Sequence, residues 1–196
     1  MRFAALFGPA FASALLCCAG AALAGDATPA PIPSPADCSA VGVADASRIL
    51  GFAVVGPDAD SRAGGICFFA SRAISEDGSV SYAIVTDAQL PQRRGFFGAL
   101  ARRCGSVAHG APRELICKAY VDLALAKDLD AYFAARTSFA DASPLPDLDA
   151  TAIATADALY LRRPHAVLEV AVSRGGDFDL ERSTELAKLL LARLKP

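Results

Sequence analysis

Apolar and polar positions repeat along this chain with two different periods. From Ser79 to Thr86, Val80, Tyr82 and Ile84 alternate with Ser79, Ser81 and Ala83, the period of a half-buried strand. Ile66 to Ala70 is an apolar run of strand length. Glu76-Asp77-Gly78 supplies turn chemistry between the two runs, so they predict a strand pair. A second pair follows near the C-terminus, where Ala158–Arg162 and Ala166–Val172 flank an Arg163-Pro164-His165 turn. Phe52 to Val55 is a further short strand candidate.

Helical spacing marks four other stretches. Between Gly42 and Gly51, Ala46, Ile49 and Leu50 share a face, and Gly51 suits a left-handed stop. Leu90–Arg103 predicts a helix with Phe96, Phe97, Leu100 and Ala101 on its apolar side, weakened by Gly95 and Gly98. Most of Ile116–Arg136 keeps helical spacing through Val121, Leu125, Leu129, Tyr132 and Phe133. In the last helix Leu180, Ala187, Leu190, Leu191 and Leu194 line one face, with Asp177 or Asp179 as cap. Asp141–Asp149, with Pro144 and Pro146, predicts a loop. Each half thus holds a strand pair followed by a helix, a layout open to pseudo-duplication. The expected fold class is α+β, an antiparallel sheet with helices on one face.

The N-terminus changes the picture of where this domain works. Met1-Arg2 precedes an apolar run from Phe3 to Ala24 that closes on Ala22-Leu23-Ala24, the three parts of a cleaved secretory signal. Residues 1–24 are therefore expected to be a signal peptide, 25–37 a Pro-rich tether and 38–196 a single α+β domain. Lipid attachment at Cys17 or Cys18 is the competing reading. Leu16 or Cys17 stands there in the place where a small residue is usual. After cleavage no stretch approaches a membrane span.

Composition excludes more than it selects. With 54% hydrophobic residues the chain is too apolar for disorder, and a formal net charge of −2 argues against a nucleic-acid partner. Two of the six cysteines fall in the signal, leaving Cys38, Cys67, Cys104 and Cys117. An even number in an exported chain suggests two disulfides with three possible connectivities, of which nearest-neighbour pairing is the simplest. A metal site combining His109 with cysteines would have the spacing C-x4-H-x7-C, which matches no common zinc module.

Catalytic motifs are missing: there is no G-x-S-x-G, S-x-x-K, H-E-x-x-H or phosphate-binding loop, and no cofactor is implied. A small hydrolase could be built only on His109 or His165 with a nearby aspartate. Four D-x-D pairs occur, Asp58/Asp60, Asp128/Asp130, Asp147/Asp149 and Asp177/Asp179, a spacing that calcium sites use with more oxygen ligands and a turn glycine. Asp177-Phe178-Asp179-Leu180-Glu181 comes closest but lacks that glycine and predicts a helix cap, and Asp147 and Asp149 predict a solvated loop.

Charge is placed unevenly. Residues 89–118 carry a local net of +5 and residues 119–150 a net of −4. If Arg93, Arg94, Arg102 and Arg103 project from one helix beside Phe96 and Phe97, they could meet an anionic surface or an acidic envelope protein. The plainer expectation is an amphipathic helix with core phenylalanines and arginines paired to neighbouring aspartates.

Cys38, then Ala46-Ser47-Arg48-Ile49-Leu50-Gly51, then Gly65-Ile66-Cys67-Phe68-Phe69, together with the closing hairpin and Leu-rich helix over 158–194, form a recognisable layout. It resembles small exported or lipid-anchored domains of unknown function in high-GC bacteria. The resemblance implies that the early cysteine pairs with one on the first central strand, here Cys38 with Cys67. It carries no catalytic residues. The functional expectation is a non-catalytic binding or accessory protein of the cell envelope.

Overall fold

The structure, a computed structural model, describes residues 37–194 except 73–76, 105–110, 139–141, 147 and 149. His109 and the Asp147/Asp149 pair therefore lie outside the described residues, as do the signal and almost all of the tether.

α1 (Val43–Leu50) forms where expected: Asp45 accepts from the Gly42 N–H at 3.2 Å, and Gly51 stops the helix at φ 83°. β1 (Val54–Val55) follows, then α2 (Ala59–Ala63), which the apolar pattern did not indicate because none of its residues is buried. β2 (Cys67–Ser71) and β3 (Gly78–Thr86) make the first antiparallel pair, with Cys67 opposite Tyr82. Gly78 is required where it stands. A Cβ there would come within 2.7 Å of the Phe52 ring and 3.1 Å of the Ser173 carbonyl.

α3 (Leu90–Cys104) matches the predicted helix. The long helical stretch after it divides into α4 (Ala111–Leu125) and α5 (Leu129–Arg136). The division falls at Asp128, whose carboxylate accepts from Ala131 N at 2.8 Å and starts a new helix. The loop expected over 141–149 contains a short edge strand, β4 (Ser143–Pro144), paired with β5 (Thr151–Ala154). β6 (Leu159–Arg163) and β7 (Ala166–Arg174) are the second predicted hairpin, β8 (Asp177–Phe178) folds back on the end of β7, and α6 (Leu180–Arg193) closes the chain.

The sheet runs β1-β2-β3-β7-β6-β5-β4, antiparallel throughout. The two hairpins meet through the nine-residue ladder of β3 with β7, from Gly78↔Arg174 to Thr86↔Ala166. On one face Val80, Tyr82, Leu159, Leu161, Leu168, Val170 and Val172 pack against Ile49 and Leu50 of α1 and Leu186, Ala187 and Leu190 of α6. This is the single helical layer the sequence predicts. A second layer covers part of the other face, where Val85 and Val167 meet Leu90, Phe97, Leu123, Leu129 and Tyr132 of α3, α4 and α5. The reason lies in β7: Val167, Leu168, Glu169 and Val170 are all buried, so this strand needs cover on both sides.

Two disulfides staple the domain. Cys38–Cys67 joins the segment before α1 to the start of β2, and Cys104–Cys117 joins the end of α3 to α4, with Cα–Cα distances of 5.6 and 5.7 Å. The pairing is nearest-neighbour, and the first bridge is the one the resemblance implied. At separations of 29 and 13 residues, loop entropy gives roughly 3.5 and 3 kcal/mol.

Candidate functional site

Glu169 sits at the middle of β7, facing the α3–α5 layer, with Ala83 of β3 on one side and Tyr160 of β6 on the other. Leucines and valines surround it in sequence, yet it is only 7% exposed. A carboxylate in that position demands cationic and hydrogen-bonding partners. The second helical layer supplies them. Leu90, Arg93 and Phe97 of α3 are its buried residues, so Arg93 enters with the apolar side of the helix. On α5 the i, i+4 pair Tyr132 and Arg136 reaches the same point.

Arg93 Nη2 lies 2.6 Å from Glu169 Oε2, and its other nitrogens donate to Tyr132 Oη (3.4 Å) and the Gly64 carbonyl (3.1 Å). The Tyr132 hydroxyl donates to Glu169 Oε1 at 2.5 Å. Arg136 Nη2 donates to Oε2 at 3.3 Å. Its Nε stands 3.0 Å from Oε1, close enough for ion pairing but off line, so that buried N–H has no hydrogen bond. The Arg136 guanidinium lies between two rings, 5.5 Å from the Phe97 centroid and 4.9 Å from that of Tyr160.

Burial on its own would raise the Glu169 carboxyl. The Arg136 and Arg93 charges and the Tyr132 hydroxyl outweigh it and hold the group below the usual carboxylate range. Burial, reinforced by the Glu169 charge, pushes the Tyr132 hydroxyl up, and burial also raises Tyr160. Every group in the cluster is thereby fixed in one charge state near neutrality. Two guanidiniums face one buried carboxylate, and the further negative charge acting on Arg136 is that of Asp157.

Two clefts flank this cluster. The larger, about 270 Å³, lies beside β3 where β2 has ended, and is lined by Asp37, Gly65, Tyr82, Gln89 and Arg93. Each of the three Arg93 nitrogens there already donates to a partner within the protein. The smaller, about 180 Å³, lies over Arg136 and is lined also by Ile66, Ser81, Asp157, Tyr160 and Glu169. Asp157 is exposed at its rim, and one of its oxygens accepts from the Thr155 hydroxyl at 2.7 Å.

The four arginines singled out from sequence do not share a face. Arg93 points inward, Arg94 donates to the Ala124 carbonyl at 3.1 Å, and Arg102 and Arg103 lie on the surface. For Arg93 the counter-charge also differs from expectation: it meets a glutamate on a central strand and not a neighbouring aspartate. Phe97 is core as expected, whereas Phe96 is 42% exposed. His165 Nδ1 is 3.9 Å from Asp87 Oδ2 with both side chains largely in solvent, and no described hydroxyl or thiol is hydrogen-bonded to it. Asp179 caps α6 as expected, and Asp58 and Asp128 cap α2 and α5 in the same way. Among the described residues no cluster of His, Cys, Asp or Glu is suited to a metal ion.

Sequence reasoning missed Glu169, Tyr132, Arg136 and Tyr160 as a unit. The available signal was a lone carboxylate inside the run Val167-Leu168-Glu169-Val170-Ala171-Val172, whose burial requires a cation elsewhere. Fold and cluster together define a two-faced antiparallel α+β domain with an ionic centre. Compared with known proteins, the chain matches no family, no curated protein and no solved structure. No helix among the described residues is long and apolar enough to cross a membrane.

Proposed function

We propose that this chain is an exported, non-catalytic binding or accessory domain of a bacterial cell envelope, with the cleft over Arg136 as its ligand seat. The observation that carries the reading is the half-buried Arg136 guanidinium, whose one direct ion pair among the described residues is with the carboxylate it shares with Arg93. Two cations, one buried and one half-buried, share one carboxylate beside an open cleft, so Arg136 keeps donor capacity for a further anion. Chemistry at the floor of the cleft is disfavoured, because Glu169 is held ionised and Tyr160 held protonated rather than poised to exchange protons. Export is supported by the N-terminal signal pattern, the two disulfides and the layout shared with exported domains.

Two measurements test it. Intact mass of the protein from the native host's envelope fraction is expected to show a chain starting at Gly25 with four thiols blocked until reduction. An uncleaved Met1 or free thiols would overturn export. Titration of the labelled protein with acetate and phosphate, following the Arg136 side-chain resonance, is expected to give saturable shifts. Saturable turnover of an envelope substrate, lost when a cleft residue is changed, would overturn the non-catalytic reading.

One observation favours a second reading, attachment to anionic surfaces. Phe96, Leu115, Ile116, Val121 and Leu125 are all exposed on the stapled α3–α4 pair, together with Arg102, Arg103 and Lys118. Apolar side chains beside cations suit an interface with anionic lipid. Co-flotation with phosphatidylglycerol vesicles, weakened by salt and by Leu125→Ser, is the expected result. Co-flotation indifferent to both would remove the reading.

A further inference from the structure

We infer that the cleft over Arg136 is built for a compact zwitterion, an α-amino acid, whose carboxylate meets Arg136 and whose ammonium meets Asp157. The inference rests on the reading of this cleft as a ligand seat and adds the class of the ligand.

The geometry supplies both ends. Arg136 is clamped between the Phe97 and Tyr160 rings, and Glu169 takes one edge of its fork. Its remaining terminal nitrogen, Nη1, makes no hydrogen bond among the described residues. A planar fork fixed at one edge and open at the other is the donor arrangement that carboxylates select. Asp157 lines the same cleft with the opposite charge. Thr155 engages its Oδ1, and Oδ2 makes no hydrogen bond among the described residues. No ion pair joins Arg136 to Asp157, so the two charges border a gap and do not neutralise one another directly.

This pairing decides between ligand classes. A simple anion would gain Arg136 but be repelled by Asp157, and a simple cation would meet the reverse. A molecule carrying both charges a few atoms apart satisfies each. The volume of about 180 Å³ lies below the several hundred of sites for larger ligands, which fits a single amino acid. Ile66 gives the wall an apolar surface for a short aliphatic side chain, and the Ser81 hydroxyl adds a polar group.

The test is calorimetric and NMR titration of the full mature protein with alanine, acetate and methylamine as separate probes, on the unaltered chain and on Asp157→Asn and Arg136→Lys. Alanine is expected to bind at least tenfold more tightly than either single-charge probe, the effect of one charged hydrogen bond. Asp157→Asn keeps the Thr155 contact and leaves the buried pairs intact. It is expected to weaken alanine about tenfold while strengthening acetate. Arg136→Lys is expected to weaken both, with circular dichroism confirming the fold. If acetate binds as tightly as alanine and Asp157→Asn strengthens both, the ligand class falls and the seat stands. If no probe binds and the Arg136 resonance stays fixed, the seat falls as well.

Discussion

The two faces of one sheet solve the burial problem in opposite ways. On the α1–α6 face, β7 presents Leu168, Val170 and Val172 to other apolar side chains, and stability there is a matter of area and fit. On the α3–α5 face the same strand presents Val167, Glu169 and Ala171, and the centre is held by ion pairs and a tyrosine hydroxyl. An apolar face tolerates many arrangements of similar volume, whereas an ionic centre accepts only the geometry that satisfies each donor and acceptor. The difference teaches where to look for function: the face that carries costly polar groups is the one with donor capacity left over at Arg136.

Breaking the ionic face is expected to have the largest effect. Glu169→Ala strands two guanidiniums and is expected to cost about 3–5 kcal/mol by urea unfolding. Leu168→Ala, one residue away on the apolar face, is expected to cost about 2–5 kcal/mol through a cavity. The two separate in their rescue. Adding Arg93→Met and Arg136→Leu to a Glu169→Leu change is expected to recover stability, because an apolar set of similar volume needs no partners. No second change of that kind rescues Leu168→Ala. A triple variant less stable than Glu169→Ala would show that shape, not charge, governs the site.

Removing the staples is expected to come next. Paired Cys38→Ser and Cys67→Ser changes are expected to lower stability by roughly 3.5 kcal/mol, and the Cys104/Cys117 pair by roughly 3 kcal/mol. Thermal unfolding of the two double variants ranks them.

Acid sharpens the comparison further. Glu169 titrates below its unfolded value, so its contribution is complete above about pH 4.3 and is lost as pH falls through the folded value. Asp45 behaves the same way, held down by its hydrogen bond to Arg193. Urea midpoints between pH 6 and 3 are expected to fall less steeply in Glu169→Gln than in the unaltered chain. The smallest effect is expected from Asp128→Ala, about 1 kcal/mol from the lost α5 cap.

The apolar face was the legible one. Ala46, Ile49 and Leu50 announced α1, alternation announced β3, and the leucines of α6 announced their face, because burying area leaves a periodic trace. The other face showed its helices but not its ionic centre. Arg93 stood out as part of a basic stretch, but nothing local told which way it pointed, and its partner lies 76 residues away. Arg136 and Tyr132 read as the end of one long helix until Asp128 divided it. β4 and β5 escaped notice because Ser143-Pro144 and Thr151–Ala154 are too short and too small to show a period. Candidate sites built from distant charges are invisible to spacing arguments. A lone charge within an apolar strand is the clue that survives.

The Cys38–Cys67 bridge also determines how this domain would bear force. A pull applied to the chain upstream of residue 38 crosses the sulfur–sulfur bond into β2 and passes on through its pairing with β3. α1, β1 and α2 all lie inside the closed loop, off that path. A domain tugged from its N-terminal side would thus carry the load on its sheet while its first helices stay unstrained, and reduction of one bond would put those helices first in line to unravel.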